Sequence, residues 1–199
     1  MMTKQLRFFF DFQSPYSYVA SEMIEEICEK HQAELIWEPM VLGGIFKADD
    51  TQPIFQRPKR AQYLAEDIVN VCECEGIAFR QRTEFLFSSI PAMRIVVQLK
   101  GKERSKAVHA VFRAAWTDDK DPGNPEVLTE LLAGIGLDGQ KLLEGAQEQS
   151  VKDKLRDNTE EALSFGIFGA PTVILDQKKM FWGHDRLKVL DYFLGKEEQ

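Results

Sequence analysis

The chain contains little cysteine and no long apolar segment. Its 199 residues include three cysteines, Cys28, Cys72 and Cys74, a number too small and odd for a disulfide framework. Their spacing also differs from that of metal-binding cysteines, so no metal site is expected. No run of eighteen apolar residues is present, and the first residues lack the apolar core of a signal peptide. We therefore expect a protein of a reducing compartment, the cytoplasm, with no membrane partner.

The chain is also short of positive charge. It has 25 Lys and Arg residues against 32 Asp and Glu residues, a formal net charge of −7. The densest basic run, Arg57 to Arg60, is too short for a polyphosphate-binding surface, so no nucleic-acid partner is expected. The overall composition, 44% apolar and 29% charged residues, is ordinary for a globular protein. The chain is also long enough to bury a full core.

Strand-like segments occur near the two ends of the chain. Leu6 to Phe12 is a Phe-rich apolar run that predicts a buried strand. After a helical pattern, Ala33 to Glu38 predicts a second strand parallel to the first. Near the other end, Thr172 to Leu175 and Met180 to Trp182 predict a hairpin. Asp185 to Leu194 predicts a last helix. Each end is too small for a core of its own, so we expect both to join one sheet.

Between about residues 45 and 165 the sequence predicts helices and no strand. Residues 43–58 look irregular because glycine, proline and polar residues dominate them. The remaining patterns of apolar residues have helical spacing. They run over 59–75, from 91 to Gly101, around 107–116, over 125–134, from 138, and from a capping box at 150–153 to 165.

The first candidate functional motif is Asp11-Phe12-Gln13-Ser14-Pro15-Tyr16-Ser17. Ser14 is a favoured N-cap and Pro15 a favoured first helical residue. A helix N-terminus carries unpaired N–H groups and the positive end of the helix dipole, so it favours an anion such as a thiolate or a phosphate. The same residues also fit a purely structural helix start.

The second motif is Phe165-Gly166-Ile167-Phe168-Gly169-Ala170-Pro171-Thr172. A helix ends there, a turn with two glycines follows, and a proline stands at the first residue of a strand, where no ladder donor is needed. A cis bond between Ala170 and Pro171 would expose the Ala170 backbone to an extended ligand. The residues alone leave cis and trans open.

These two motifs, in this order, resemble the thioredoxin superfamily. Residues 166–172 resemble its cis-proline segment, and Ser14-x-x-Ser17 occupies the place of the redox Cys-x-x-Cys. The helical insertion resembles the DsbA-like branch. Within that branch, the segment from Phe10 to Ser17 is similar to the kappa-class glutathione transferases and the 2-hydroxychromene-2-carboxylate isomerases. Residues 42–47 resemble the loop entering their helical domain, and 181–186 the turn before their last helix.

The resemblance implies an α/β thioredoxin-like fold with a large all-helical insertion. Residues 1–42 and 160–199 would form a discontinuous thioredoxin-like domain, and residues 43–159 the inserted helical domain. It also implies a homodimer.

The resemblance further implies glutathione as cofactor and assigns residues to it. Ser14, the catalytic residue, would donate a hydrogen bond to the glutathione sulfur, and Ala170 would bind the cysteinyl backbone. His184 and Asp185 would hold the γ-glutamyl end, and Arg60 would lie near the glycine end. The full glutathione-binding set is Ser14, Ala170, Pro171, Trp182, Gly183, His184, Asp185 and Arg60. The substrate-binding set is Phe46, Lys47 and Thr51, where Thr51 replaces an asparagine common in the family.

The implied activity is a glutathione-dependent cis–trans isomerisation of an aromatic-degradation intermediate by reversible thiolate addition. Disulfide exchange at this turn is not expected, since a serine hydroxyl cannot form a mixed disulfide. A kappa-like transferase or peroxidase, which would use the same thiolate on an electrophile or a peroxide, is the alternative enzyme. A redox-inactive DsbA-like module that binds extended peptides is the alternative without catalysis. From the residues alone, Lys47 and Arg60 also fit solvated surface charges, and His184 fits a helix cap. The histidines His31 and His109 are expected to be structural.

Overall fold

Four strands form one mixed sheet in the computed structural model, which describes residues 3–84 and 86–196 apart from the Phe55 side chain. β1 (Gln5–Phe10) lies between β2 (Glu34–Pro39) and β3 (Thr172–Leu175), and β4 (Lys179–Trp182) forms the edge beyond β3. β1 pairs with β2 in parallel and with β3 antiparallel, and β3 and β4 form an antiparallel hairpin. The two ends of the chain thus share one sheet, as the sequence predicts.

In the described part of the chain, only helices and loops connect β2 to β3. The first α-helix connects β1 to β2, the last follows β4, and the others lie between β2 and β3. They are α1 (Pro15–His31), α2 (Leu42–Ala48), α3 (Pro58–Glu75), α4 (Ile90–Val96), α5 (Gly101–Trp116), α6 (Pro125–Gly134), α7 (Gly139–Gly145), α8 (Gln149–Ser164) and α9 (Leu187–Gly195), with 3₁₀ turns at Ile54–Gln56 and His184–Arg186. No helix of the described residues is long and apolar enough to cross a bilayer.

Three local predictions are wrong. The segment predicted as irregular contains α2, whose first N–H, that of Leu42, is capped by the distant Asp11 carboxylate at 2.9 Å. Gly101 begins α5 with a φ of +50° rather than ending the preceding helix, which stops at Val96. The predicted capping box at Ser150 is absent, because the N-cap of α8 is Glu148, two residues earlier, and no side chain caps the helix there.

One aromatic core joins the sheet to the helical insertion. Phe10 on β1 and Phe12 just beyond it both pack on Phe112 of α5, with ring centroids 5.6 and 4.8 Å apart. Trp116, at the end of α5, donates its indole N–H to the Phe12 carbonyl oxygen at 2.9 Å. All four side chains are buried. The sheet and α5 are therefore stabilised by the same apolar contacts.

An ion-paired group fixes α8 on the other face of the sheet. Arg7 of β1 donates to Glu38 of β2 at 2.7 Å and to Glu161 of α8 at 2.5 Å. Glu161 lies beyond the predicted domain boundary at residue 160, which falls inside α8 and not in a loop. The division into residues 1–42 with 160–199 and residues 43–159 remains a proposal.

The shared aromatic core yields a stability prediction. Phe112→Ala would leave a cavity between the sheet and α5 and lower the free energy of unfolding by about 3–5 kcal/mol. Val69→Ala, on the exposed side of α3, would change it by no more than about 0.5 kcal/mol. Urea unfolding followed by circular dichroism and by tryptophan fluorescence measures both. Separate transitions for the two probes would contradict a common core.

Candidate active site

Ser14 connects the start of α1 to the segment before β3. It is the N-cap of the 17-residue α1, with Pro15 as the first helical residue. Its hydroxyl oxygen accepts the Ser17 N–H at 3.1 Å and donates to the Ala170 carbonyl oxygen at 3.2 Å. The residue is 6% exposed. The two motifs, 156 positions apart in the chain, therefore meet at one hydroxyl group.

The Ala170–Pro171 peptide bond is cis, one of the two options that the sequence leaves open. The Pro171 carbonyl accepts the Gly183 N–H at 2.9 Å, and the Thr172 hydroxyl donates to the Gly169 carbonyl at 2.8 Å. These bonds fix the loop on both sides of Ala170. Within residues 3–84 and 86–196, no hydrogen bond uses the Ala170 N–H. That amide is therefore available to a ligand backbone.

A buried carboxylate holds the turn that carries Ser14. One oxygen of Asp11 accepts the Gln13 N–H at 3.0 Å and the other accepts the Leu42 N–H at 2.9 Å. The Asp11 carbonyl oxygen also accepts the Ser14 N–H at 3.0 Å. Burial raises the pKa of Asp11, while the bonds from Gln13, Leu42 and the Ser89 hydroxyl lower it in part. Asp11 thus fixes Ser14 and the start of α2 relative to each other.

The turn after β4 brings the predicted γ-glutamyl residues close to the start of α1. Gly183 has a φ of +101°, and a Cβ atom there would lie 2.5 Å from a carboxylate oxygen of Asp185. The His184 imidazole stacks on the Tyr16 ring, with centroids 5.0 Å apart and planes at 3°. Burial lowers the pKa of His184 below its usual value near 6.5, so the ring is neutral at pH 7. Asp185 is exposed and pairs with Arg186 at 3.1 Å.

Trp182 packs over the backbone next to the cis peptide. Its ring lies 4.7 Å from that of Phe168, and a Cβ atom at Gly169 would come within 2.6 Å of the indole nitrogen. Trp182 and Phe168 are 51% and 40% exposed. Position 169 must therefore stay glycine for the indole to cover the loop, and an aromatic surface flanks Ala170.

Arg60 does not reach the Ser14 turn directly. It is exposed in the first turn of α3, and no hydrogen bond or ion pair among the described residues includes its guanidinium group. Tyr63 and Asp67 follow at helical spacing on the same face of α3. The Tyr63 hydroxyl donates to Asp67 at 2.9 Å, and the Tyr16 hydroxyl donates to the same carboxylate. This face of α3 thus borders the start of α1.

The predicted substrate residues lie on and after α2. Phe46 is half-buried, whereas Lys47 and Thr51 are exposed. The Thr51 N–H donates to the Phe46 carbonyl at 2.9 Å, and its hydroxyl donates to the Asp49 carboxylate at 2.7 Å. The Thr51 hydroxyl is thereby bonded within its own loop. No hydrogen bond of the described residues joins these three side chains to Ser14, which is linked to α2 through Asp11.

Comparison with known proteins agrees with this arrangement. Residues 5–195 match the family model described as the DSBA-like thioredoxin domain. The chain belongs to the DSBA-like thioredoxin domain family. It is 26% identical over 206 residues to glutathione S-transferase kappa 1 of Rattus norvegicus, with 96% of this chain and 91% of the relative covered.

Two further comparisons concern isomerases. The chain is 25% identical to 2-hydroxychromene-2-carboxylate isomerase of Sphingobium xenophagum, covering 97% of this chain and 99% of the relative. A solved 2-hydroxychromene-2-carboxylate isomerase structure superposes with a TM-score of 0.87 at 22% identity, covering 96% of this chain and 94% of that one. The predicted thioredoxin-like, DsbA-like fold and the family resemblance are confirmed.

Ser14 and Ser17 stand in the turn before α1, and the three cysteines of the chain lie elsewhere. Cys28 and Cys72 are buried in the core, and burial raises their pKa values to about 12 and about 11, so they stay protonated and inert. Cys74 is exposed on α3. Within the described residues, no group of three or more His, Cys, Asp or Glu side chains could hold a metal ion.

Sequence reasoning missed Tyr16, Tyr63, Asp67 and the structural role of Asp11. Tyr16 lies inside the first motif, but its hydrogen-bond partner Asp67 is 51 positions away, and spacing does not reveal such a pair. The i, i+4 spacing of Tyr63 and Asp67 on a predicted helix was the one available signal.

The Asp11 bonds yield a graded stability prediction. Asp11→Ala would leave the Gln13 and Leu42 N–H groups without acceptors and cost about 2 kcal/mol or more at pH 7. Asp11→Asn keeps one acceptor oxygen and would cost less. Asp50→Asn, exposed at a positive φ that asparagine tolerates, is the matched control and would be nearly neutral. Chemical denaturation measures all three variants, and equal costs for Ala, Asn and the control would refute the role of Asp11.

The stability contribution of Asp11 should also depend on pH. Because its folded pKa is raised above the unfolded value near 3.9, the contribution is full below the unfolded pKa and is lost as pH rises through the folded pKa. The stability gap between the wild type and Asp11→Ala should therefore narrow between pH 4 and pH 8. Denaturation across that range measures the gap. A gap that widens with pH would contradict the raised pKa.

Proposed function

We propose that the protein is a glutathione-dependent enzyme that isomerises an aromatic-degradation intermediate of the 2-hydroxychromene-2-carboxylate type. One observation carries the proposal: the Ser14 hydroxyl, at the N-terminus of α1, faces the Ala170 carbonyl beside cis Pro171. The names of the relatives, a glutathione transferase of the kappa class and two isomerases, support the same chemistry.

The Ser14 hydroxyl can favour a thiolate because its single proton can change acceptor. In the structure the proton goes to the Ala170 carbonyl. The cysteinyl backbone of glutathione would take both the carbonyl and the N–H of Ala170, and Ser14 could then donate to the sulfur. The positive end of the 17-residue α1 adds to this stabilisation. Lowering the thiol pKa in this way yields the nucleophile at neutral pH.

The remaining glutathione-binding residues would fix the two ends of the tripeptide. The exposed carboxylate of Asp185 suits the γ-glutamyl ammonium, and neutral His184 borders the same position. Pro171, Trp182 and Gly183 form the backbone and aromatic surface next to the cysteinyl position. Arg60 would attract the glycine carboxylate from the rim of α3, since the described residues give its guanidinium no ion pair.

In the proposed reaction the protein positions the reactants and stabilises the thiolate, and glutathione forms the only covalent bond to the substrate. The glutathione sulfur adds to a conjugated C=C bond, and the electron pair moves to the conjugated carbonyl oxygen. The former double bond is now single and rotates. The electron pair then returns, the C=C bond reforms in the other configuration, and the C–S bond breaks to release the same thiolate. Phe46 would contact the substrate ring, and Lys47 would pair with its carboxylate.

A kappa-like transferase or peroxidase is the second candidate. The bond between the Thr51 hydroxyl and Asp49 favours it, because Thr51 is then less able to orient a substrate carboxylate. The same bound thiolate would attack a small electrophile or a peroxide. In either case we propose a cytoplasmic homodimer.

Glutathione binding is the experiment that tests the proposal. Calorimetry should give a dissociation constant between micromolar and millimolar for the wild type, and about tenfold weaker binding for Asp185→Ala, which loses the partner of the ammonium group. Asp157→Ala, an exposed carboxylate of α8, is the matched control and should bind like the wild type. A screen of chromene carboxylates, electrophiles and peroxides then separates the two enzymes.

A wild type that does not bind glutathione would refute the proposal. The alternative would then be the redox-inactive module that binds extended peptides along the cis-proline loop. Retention on immobilised glutathione gives the same decision quickly, because such a module would not be retained.

A further inference from the structure

Two tyrosine hydroxyls share the carboxylate of Asp67. Tyr63, one turn earlier on α3, donates to one oxygen at 2.9 Å, and Tyr16, in the first turn of α1, donates to the other. Asp67 is partly buried, while Tyr63 is 66% exposed. The carboxylate therefore connects a helix of the insertion to the helix that begins at Ser14.

Tyr16 carries this connection to the turn before the last helix. Its ring lies parallel to the His184 imidazole, with centroids 5.0 Å apart. Burial, together with the neighbouring Asp67, raises the pKa of Tyr16, so its hydroxyl stays protonated and remains a donor. A hydroxyl held by a carboxylate fixes the ring plane, and the ring plane in turn fixes the imidazole stacked on it.

We infer that Asp67 is a positioning residue of the glutathione site, which orients His184 through Tyr16. The inference rests on the proposed function and extends it, because His184 and Asp185 form the turn proposed for the γ-glutamyl group. Asp67 has no hydrogen bond to Ser14 or Ala170. It should therefore control how tightly glutathione binds and leave the chemistry of the thiolate unchanged.

The helix face that Asp67 fixes also includes Arg60, two turns earlier. The bond that Asp67 accepts from Tyr16 joins this face of α3 to the start of α1, next to the apolar contact of Ile68 and Cys72 with Val19. The bond that it accepts from Tyr63 holds its carboxylate from within α3. The loss of the carboxylate would release the tyrosines on both sides. The positions of two parts of the proposed site, α3 and the turn at 183–185, thus depend on the Asp67 carboxylate.

Kinetics of Asp67→Asn, Tyr16→Phe and a matched control test the inference. Glu66→Gln is the control, because it removes the same charge at the adjacent, exposed position, where Glu66 bonds only Gln62 among the described residues. Asp67→Asn and Tyr16→Phe should each raise the KM for glutathione about five- to tenfold, the loss expected for one hydrogen bond. The double variant should be no worse than either single one. At saturating glutathione, kcat should stay within about twofold.

An unchanged KM, a KM raised equally by Glu66→Gln, or a fall in kcat alone would overturn the inference. A merely structural bond between α3 and α1 would lower the denaturation midpoint without changing KM, so the unfolding curve of each variant is measured alongside.

Proton NMR of the free protein tests the same inference without glutathione. The chain has three histidines, and the Tyr16 ring current should shift the ring protons of His184 upfield. Both Asp67→Asn and Tyr16→Phe should move these signals toward random-coil values, while Glu66→Gln should not. Unmoved signals would overturn the inference whatever the protein binds. If the His184 signals move in these variants but the wild type does not bind glutathione, only the proposed function is refuted.

Discussion

The buried carboxylate of Asp11 is the constraint on which the arrangement of the site depends. A strand and a helix that meet end to end leave backbone N–H groups unpaired, and burial makes such groups costly. Asp11 accepts two of them, one from the turn before Ser14 and one from the first residue of α2. Phe12, the next residue, is buried and accepts the Trp116 indole N–H at its carbonyl oxygen, which joins this turn to the aromatic core. The position of Ser14 relative to the insertion follows from these bonds.

Ser14 gives this turn a hydrogen-bonding group at the position where the family resemblance places a redox cysteine. Its hydroxyl retains the place next to the cis-proline loop, the helix N-terminus and the contact with Ala170. A site with these features and no cysteine can stabilise a thiolate that arrives with a ligand, and it cannot form a disulfide with that ligand. Relatives of the chain are named as a glutathione transferase, as an isomerase and as a thiol:disulfide interchange protein.

Sequence patterns predicted the elements whose signals are local. The strands at both ends, the cap at Ser14, the helix after Asn124 and the hairpin at 172–182 depend on neighbouring residues, and the structure has all of them. The start of α2 could not be predicted, because its cap is 31 positions away at Asp11. The cluster of Tyr16, Asp67 and His184 depends on long-range packing in the same way. That Ser14 and Ala170 lie at one site was predicted from the family resemblance, which assigns both to glutathione, and not from the periodicity of apolar residues.

The central claim is that this serine turn stabilises the thiolate of glutathione. A pH titration of glutathione labelled with ¹³C at the cysteinyl β-carbon, bound to the protein and followed by NMR, measures the thiol pKa directly. We expect a thiol pKa at least about one unit below the value near 8.5 that is usual for a free cysteine, with much of the decrease lost in Ser14→Ala and retained in Asp67→Asn. A bound thiol that titrates like free glutathione, or a decrease that Ser14→Ala leaves intact, would contradict it.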